Sequence, residues 1–164
     1  MKMTKEMTDY YKKKLEEGIG FQDFVQEELY KLGISIVSYS SKEYQHLHGE
    51  NLAGVEIKYD QVMKKTNRIY IEIAEKTNPE NKNFIPSGIY ANPKTWLYLI
   101  GDKNEIFIFA KKFLIRWHRK KIFTEKEIST SRGFLIPVKQ ARETYAIRVI
   151  EINNSQHSLF KEGI

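Results

Sequence analysis

The chain has 164 residues, 41% hydrophobic and 13% aromatic, which suffices for one packed core without cross-links; no Gly/Ser- or Pro-rich linker divides it, so one domain over 1–164 is predicted. Cysteine is absent, which excludes disulfides, thiol nucleophiles and thiolate zinc sites; no apolar run approaches the roughly 20 residues that span a bilayer, so no membrane contact and a cytoplasmic location are predicted. Lys and Arg number 27 against 21 Asp and Glu, and the net charge of +6 favours a polyanionic partner.

In chain order, the Lys-, Glu- and Tyr-rich stretch from Thr4 to Glu17 predicts an N-terminal helix within 1–20, punctuated by Gly18 and Gly20. Phe21, Phe24, Val25, Leu29 and Leu32 then recur at steps of three and four, predicting a second helix that Gly33 caps. Ile34–Tyr39 is β-branched and reads as a first strand. Val55, Ile57 and Tyr59 alternate with Gly54, Glu56 and Lys58, and Ile69, Ile71 and Ile73 alternate with Tyr70, Glu72 and Ala74. These are two further strands, and the short polar stretch Asp60–Asn67 between them predicts an antiparallel hairpin. A loop from Asn78 through Pro86–Ser87–Gly88 precedes the strands Thr95–Ile100 and Glu105–Ala110, joined by the turn Gly101–Asn104. Lys111–Lys121, KKFLIRWHRKK, predicts a short helix with Phe113, Leu114 and Trp117 on one side and Lys111, Lys112, Arg116, Arg119, Lys120 and Lys121 as a basic cluster. Two short strands, Phe134–Pro137 and Tyr145–Ile150, precede a polar tail over 153–164 that is expected to be flexible.

Hydrolysis of a phosphodiester calls for a divalent cation, Mg²⁺ or Mn²⁺, held by a few carboxylates and waters. On the predicted hairpin Glu56 and Glu72 stand opposite the Val/Ile rows and project from one face. Two like charges so placed repel unless a cation compensates, and Lys58 and Lys76 fall on the same faces, where either ammonium could orient a water or stabilise developing charge. The competing reading is a solvated hairpin face whose Glu and Lys residues pair across strands.

A helix, FQDFVQEELYKLGI, is followed by a strand and then by AGVEIKYD and RIYIEIAEK, each with a central acid. This order resembles the PD-(D/E)XK, restriction-endonuclease-like, nuclease superfamily, and the segment from Gly49 to Lys76 is also similar to proteins encoded by phages and prophages. The resemblance covers about Phe21 to Lys76. It implies an α/β fold in which helices flank a central mixed sheet with an antiparallel active-site hairpin, and an Mg²⁺- or Mn²⁺-dependent endonuclease acting on DNA, with RNA also open. It places Glu56 and Glu72 at the two acidic positions. The family's lysine would fall at Ala74, so its role passes to Lys58, the preferred candidate, or to Lys76, or else the site is inactive. Gln22 stands where some relatives carry an acid that assists the metal, and Glu50 is a further candidate ligand. A rival motif takes Glu50 together with Glu56–Ile57–Lys58. Cleavage of both strands of a duplex would favour a homodimer.

His46 and His48 lack the partners of a zinc site, Ser87–Gly88 lacks the context of a nucleophilic serine, and no phosphate-binding Gly-rich loop is present. Tyr70, Trp96 and Tyr98 are candidates for stacking on bases or for the core. The rival functions are a non-catalytic nucleic-acid-binding protein with the same fold and a protein-interaction module.

Overall fold

The computed structural model describes residues 5–39 and 51–152; Glu50, His46, His48 and the tail over 153–164 lie outside the described residues. The first element is one continuous helix, α1 (Lys5–Lys31), with no interruption at Gly18 or Gly20. Each glycine costs a helix about 1 kcal/mol. Burial of Phe21, Val25 and Leu29 outweighs that cost over 27 residues, so the predicted break does not occur. The helix stops as predicted at Gly33, where the Gly33 N–H reaches the Tyr30 carbonyl and the Ile34 N–H the Leu29 carbonyl, both at 2.9 Å.

Among the described residues eight strands follow: β1 (Val55–Tyr59), β2 (Arg68–Glu75), β3 (Ile85–Pro86), β4 (Leu97–Gly101), β5 (Glu105–Ala110), β6 (Glu125–Ile128), β7 (Ser131–Pro137) and β8 (Arg148–Glu151). They form two four-stranded sheets, ordered β1-β4-β5-β8 and β3-β2-β7-β6. The first sheet is mixed, because β1 runs parallel to β4 while β4–β5 and β5–β8 are antiparallel; the second is antiparallel throughout. Between β5 and β6 lies a helix over Lys111–Arg119; α2 is the single turn Met63–Thr66, so this longer one is α3.

The mixed sheet is the middle layer. Its Val55, Ile57, Leu99 and Ile106 pack on Phe21, Val25 and Leu29 of α1. Its other face brings Tyr98, Ile100, Phe107 and Phe109 against Ile69, Ile71, Ile73, Phe134 and Ile136 of the second sheet. The protein is therefore α/β, with a central mixed sheet and flanking helices.

Three predicted features are corrected. Ile34–Tyr39 is not a strand: Ile36 alone is buried there, Val37 is exposed, and one bridge, Ser38 to Asn51, is all the pairing found among the described residues. Tyr145–Ile150 begins in a π-helical turn (Ala141–Tyr145), so the strand starts only at Arg148. Most consequential, β1 and β2 do not form a hairpin, since they belong to different sheets. Their connection is no simple turn. Met63 is completely buried in the core between the sheets, which draws the chain inward as α2, and Asn67 then takes a left-handed conformation (φ 52°) before β2 begins. Asp60 fixes this corner: its Oδ1 accepts the Val62 N–H and its Oδ2 the Tyr70 N–H, both at 3.1 Å.

Burial raises the Asp60 pKa above the ordinary aspartate range, and the charge of Asp102 adds to this, while the N–H donors oppose it. Asp60→Ala strands those donors and is expected to lose roughly 1–3 kcal/mol in urea unfolding. A raised carboxyl pKa means the folded state holds the proton more tightly than the unfolded one. The stability gap between wild type and Asp60→Ala should therefore widen as pH falls through the raised value, and level off below the ordinary aspartate pKa.

Candidate active site

Beside β1, the edge strand of its sheet among the described residues, runs a cleft of about 930 Å³. Gly18 and Gln22 of α1 form one wall, β1 contributes Lys58, and Tyr70, Glu72 and Ser131 of the second sheet form the opposite wall. Lys14, Arg68 and Lys126 supply cations around it. The corner at Asp60 is what brings the two sheets to this shared space, and Gln61 ties it to α1 by donating to Glu17 at 2.6 Å. That bond is the largest of the influences holding the Glu17 carboxyl below its usual range.

Glu72 sits on β2 with both carboxylate oxygens occupied by hydroxyl donors. Ser87 donates to Oε1 at 2.5 Å and Ser131 to Oε2 at 2.8 Å, and Tyr70 shares a 2.9 Å hydrogen bond with Ser131. Burial, followed in size by that Ser131 bond acting the other way, leaves the Tyr70 phenol above its usual pKa, with the Glu72 charge also raising it. Ser87 reaches Glu72 because Gly88 lets the chain press against β2: Gly88 has φ +53°, and a Cβ there would collide with the Glu72 carbonyl. The Ser87–Gly88 pair thus serves the carboxylate rather than acting as a nucleophile. Neither serine is assigned to the Glu72 site by the sequence, because segments 15 and 59 residues away meet there only in the fold.

Glu56 and Lys58 share a face of β1 as the alternation requires, and their side chains meet at 3.0 Å. Glu56 is only 9% exposed at its side chain and Lys58 43%, so the pair presents its ammonium, not its carboxylate, to the cleft. On its inner side Glu56 faces the charge of Lys111. That lysine is buried, donates to the Asn92 carbonyl, and has its pKa pushed down by burial, with Glu56 pulling it back up.

The predicted residues therefore divide. Gln22, Lys58 and Glu72 line one cleft; Glu56 stands behind Lys58. Lys76 lies beyond the cleft, 3.4 Å from Glu127 and over the ring of Phe84. Glu56 and Glu72 are not on neighbouring strands, and among the described residues no group of three or more Asp, Glu or His side chains is placed to hold a metal. Of the basic cluster, Lys112, Arg116, Arg119, Lys120 and Lys121 are exposed, whereas Lys111 is internal because it shares the inward face of α3 with Leu114, three residues on. Tyr98 belongs to the core, and Trp96 is exposed with its indole N–H donated to the Ala53 carbonyl.

No family model matches the chain, and neither a curated protein nor a solved structure matches it. Among the described residues no helix is long and apolar enough to cross a membrane.

Lys111→Met is expected to lower stability by roughly 1–3 kcal/mol in urea unfolding, since it removes a buried hydrogen bond and one of the cations facing Glu56. The Lys120→Ala, Lys121→Ala double variant, at two exposed positions, should leave stability within about 0.5 kcal/mol of wild type in the same assay.

Proposed function

We propose that this protein is a metal-dependent nuclease that hydrolyses phosphodiester bonds of DNA in the cleft beside β1. The observation that carries the reading is that Lys58 and Glu72, on different sheets, line the same cleft together with Gln22. A mixed sheet backed by α1, with Glu56–Ile57–Lys58 on its edge strand, is in keeping with a restriction-endonuclease-like fold, from which the separation of β1 and β2 into two sheets departs.

The donors in the cleft fit a cation completed by its substrate better than a preformed cage. Mg²⁺ is commonly held by one or two carboxylates together with waters and phosphate oxygens. Glu72 is the carboxylate that would hold it, since its serine donors fix its orientation without cancelling its charge. Glu56, paired with Lys58 and facing Lys111, is not placed for that role. Bound Mg²⁺ or Mn²⁺ would supply Lewis acidity and a more acidic water. Lys58, held by Glu56, stabilises negative charge that builds on the phosphate, and the amide of Gln22 orients water or a phosphate oxygen. Lys14, Arg68 and Lys126 draw the backbone into the cleft.

A second reading, a non-catalytic nucleic-acid-binding protein, is favoured by one observation: the described residues offer no cluster of three acids or histidines to a metal. Cleavage of circular, linear, branched and single-stranded DNA in Mg²⁺ and in Mn²⁺ separates the two. The nuclease predicts cutting that EDTA abolishes, that Glu72→Ala removes, and that Lys58→Met reduces by about 10²-fold or more. Binding without cutting of any substrate supports the second reading.

A further inference from the structure

Away from the cleft, a second pocket of about 520 Å³ lies between α3 and the turn that leads into β8. Its aromatic components are Phe113 and Trp117, one helical turn apart, whose rings are stacked at 6.0 Å with 17° between their planes, and Tyr145, edge-on to Trp117 at 4.8 Å. Ile147 and Ile122 stand exposed at its margin. Arg116 and Lys120 line the same pocket, and neither has an acidic partner among the described residues.

Exposed apolar surface beside uncompensated cations selects for a ligand that carries both flat apolar faces and negative charge. The exposed rim of such an aromatic pair offers apolar surface to another planar ring, and cations at the margin, Lys112 over the Phe113 ring at 5.3 Å among them, accept a phosphate. We infer that this pocket is a base-binding subsite for single-stranded nucleic acid, in which an unpaired base packs against Phe113, Trp117 and Ile147 while Arg116 and Lys120 hold its flanking phosphates. A base inside a duplex is already stacked on both faces, so the subsite discriminates against intact duplex. An acidic polypeptide would satisfy the cations but leave the aromatic rim uncovered.

The inference rests on the reading that the protein handles nucleic acid, but it does not require the cleft to be active. The test is therefore binding in EDTA, by fluorescence anisotropy of labelled single-stranded DNA and RNA oligonucleotides. Competitors are an abasic strand of equal length, a duplex, and polyglutamate. The expected result is that the single strand with bases binds about fivefold or more tightly than the abasic strand. Phe113→Leu, which keeps an apolar side chain but removes its ring, should erase that difference, as should Ile147→Glu at the exposed margin. Arg116→Ala should weaken both strands alike. Equal binding of abasic and base-bearing strands, equal or tighter binding of duplex, or competition by polyglutamate at matched charge would overturn the inference. Loss of the base preference with metal-dependent cleavage intact would remove this subsite alone; loss of cleavage with base preference intact would remove the nuclease reading alone.

Discussion

The two oxygens of Asp60 accept hydrogen bonds from different parts of the chain. One receives the N–H of Val62, which starts the turn out of β1, and the other receives the N–H of Tyr70, which is already in β2. With Met63 completely buried beside this corner, the chain cannot fold β2 back along β1, and the strand passes into a second sheet. Everything in the cleft follows from that change of direction. Lys58 lies two residues before Asp60 on one sheet, and Glu72 lies two after Tyr70 on the other, so the corner sets the separation of the two groups on which the proposed chemistry depends. A buried, hydrogen-bonded carboxylate at the junction is costly to ionise. It is retained where it satisfies donors that nothing else reaches.

The protein holds its two central glutamates in different ways. Glu56 is neutralised by ammonium groups, Lys58 in contact and Lys111 nearby, and its charge is spent in fixing Lys58. Glu72 receives hydroxyl hydrogens from Ser87 and Ser131, which orient a carboxylate but carry no formal charge. A cation entering the cleft therefore meets an ordered anion at Glu72 and an already balanced one at Glu56. In the proposed chemistry this difference between the acids would assign metal binding to one sheet and phosphate stabilisation to the other.

Hydrophobic periodicity made the elements legible. The step of three and four from Phe21 to Leu29, the Gly33 stop, the β4–β5 pair and the helix after Ala110 all agree with it, because burial of one face is a local property of sequence, whereas Leu32, past the end of α1, is exposed. Pairing is not local. The alternation in β1 and β2 fixes which side chains face inward but leaves their neighbours open, and of the adjacent apolar pair Val62–Met63 in the connection only Met63 is buried, which sequence alone does not distinguish. β6 was illegible for a related reason, as all four of its residues are exposed and it gains its place by pairing with β7. Within the site, Gln22, Lys58 and Glu72 could be nominated by residue type and face. Ser87 and Ser131 could not, since they come from segments far apart in sequence that meet only at Glu72. Lys111 looked like a member of the basic cluster, yet its spacing of three from Leu114 already put it on the buried face.

The central claim is that a divalent cation is held at Glu72, in the cleft that Gln22 and Lys58 share. Paramagnetic broadening by Mn²⁺ tests it most directly, read on the side-chain amide of Gln22 and the backbone amides of Lys58 and Glu72 in an isotope-labelled sample, with Arg116 and Lys120 as distant reporters. The account predicts saturable broadening of the cleft signals, sparing those of α3, that disappears in Glu72→Gln while the remainder of the spectrum is preserved. Broadening that persists in Glu72→Gln, or that centres elsewhere, would contradict it.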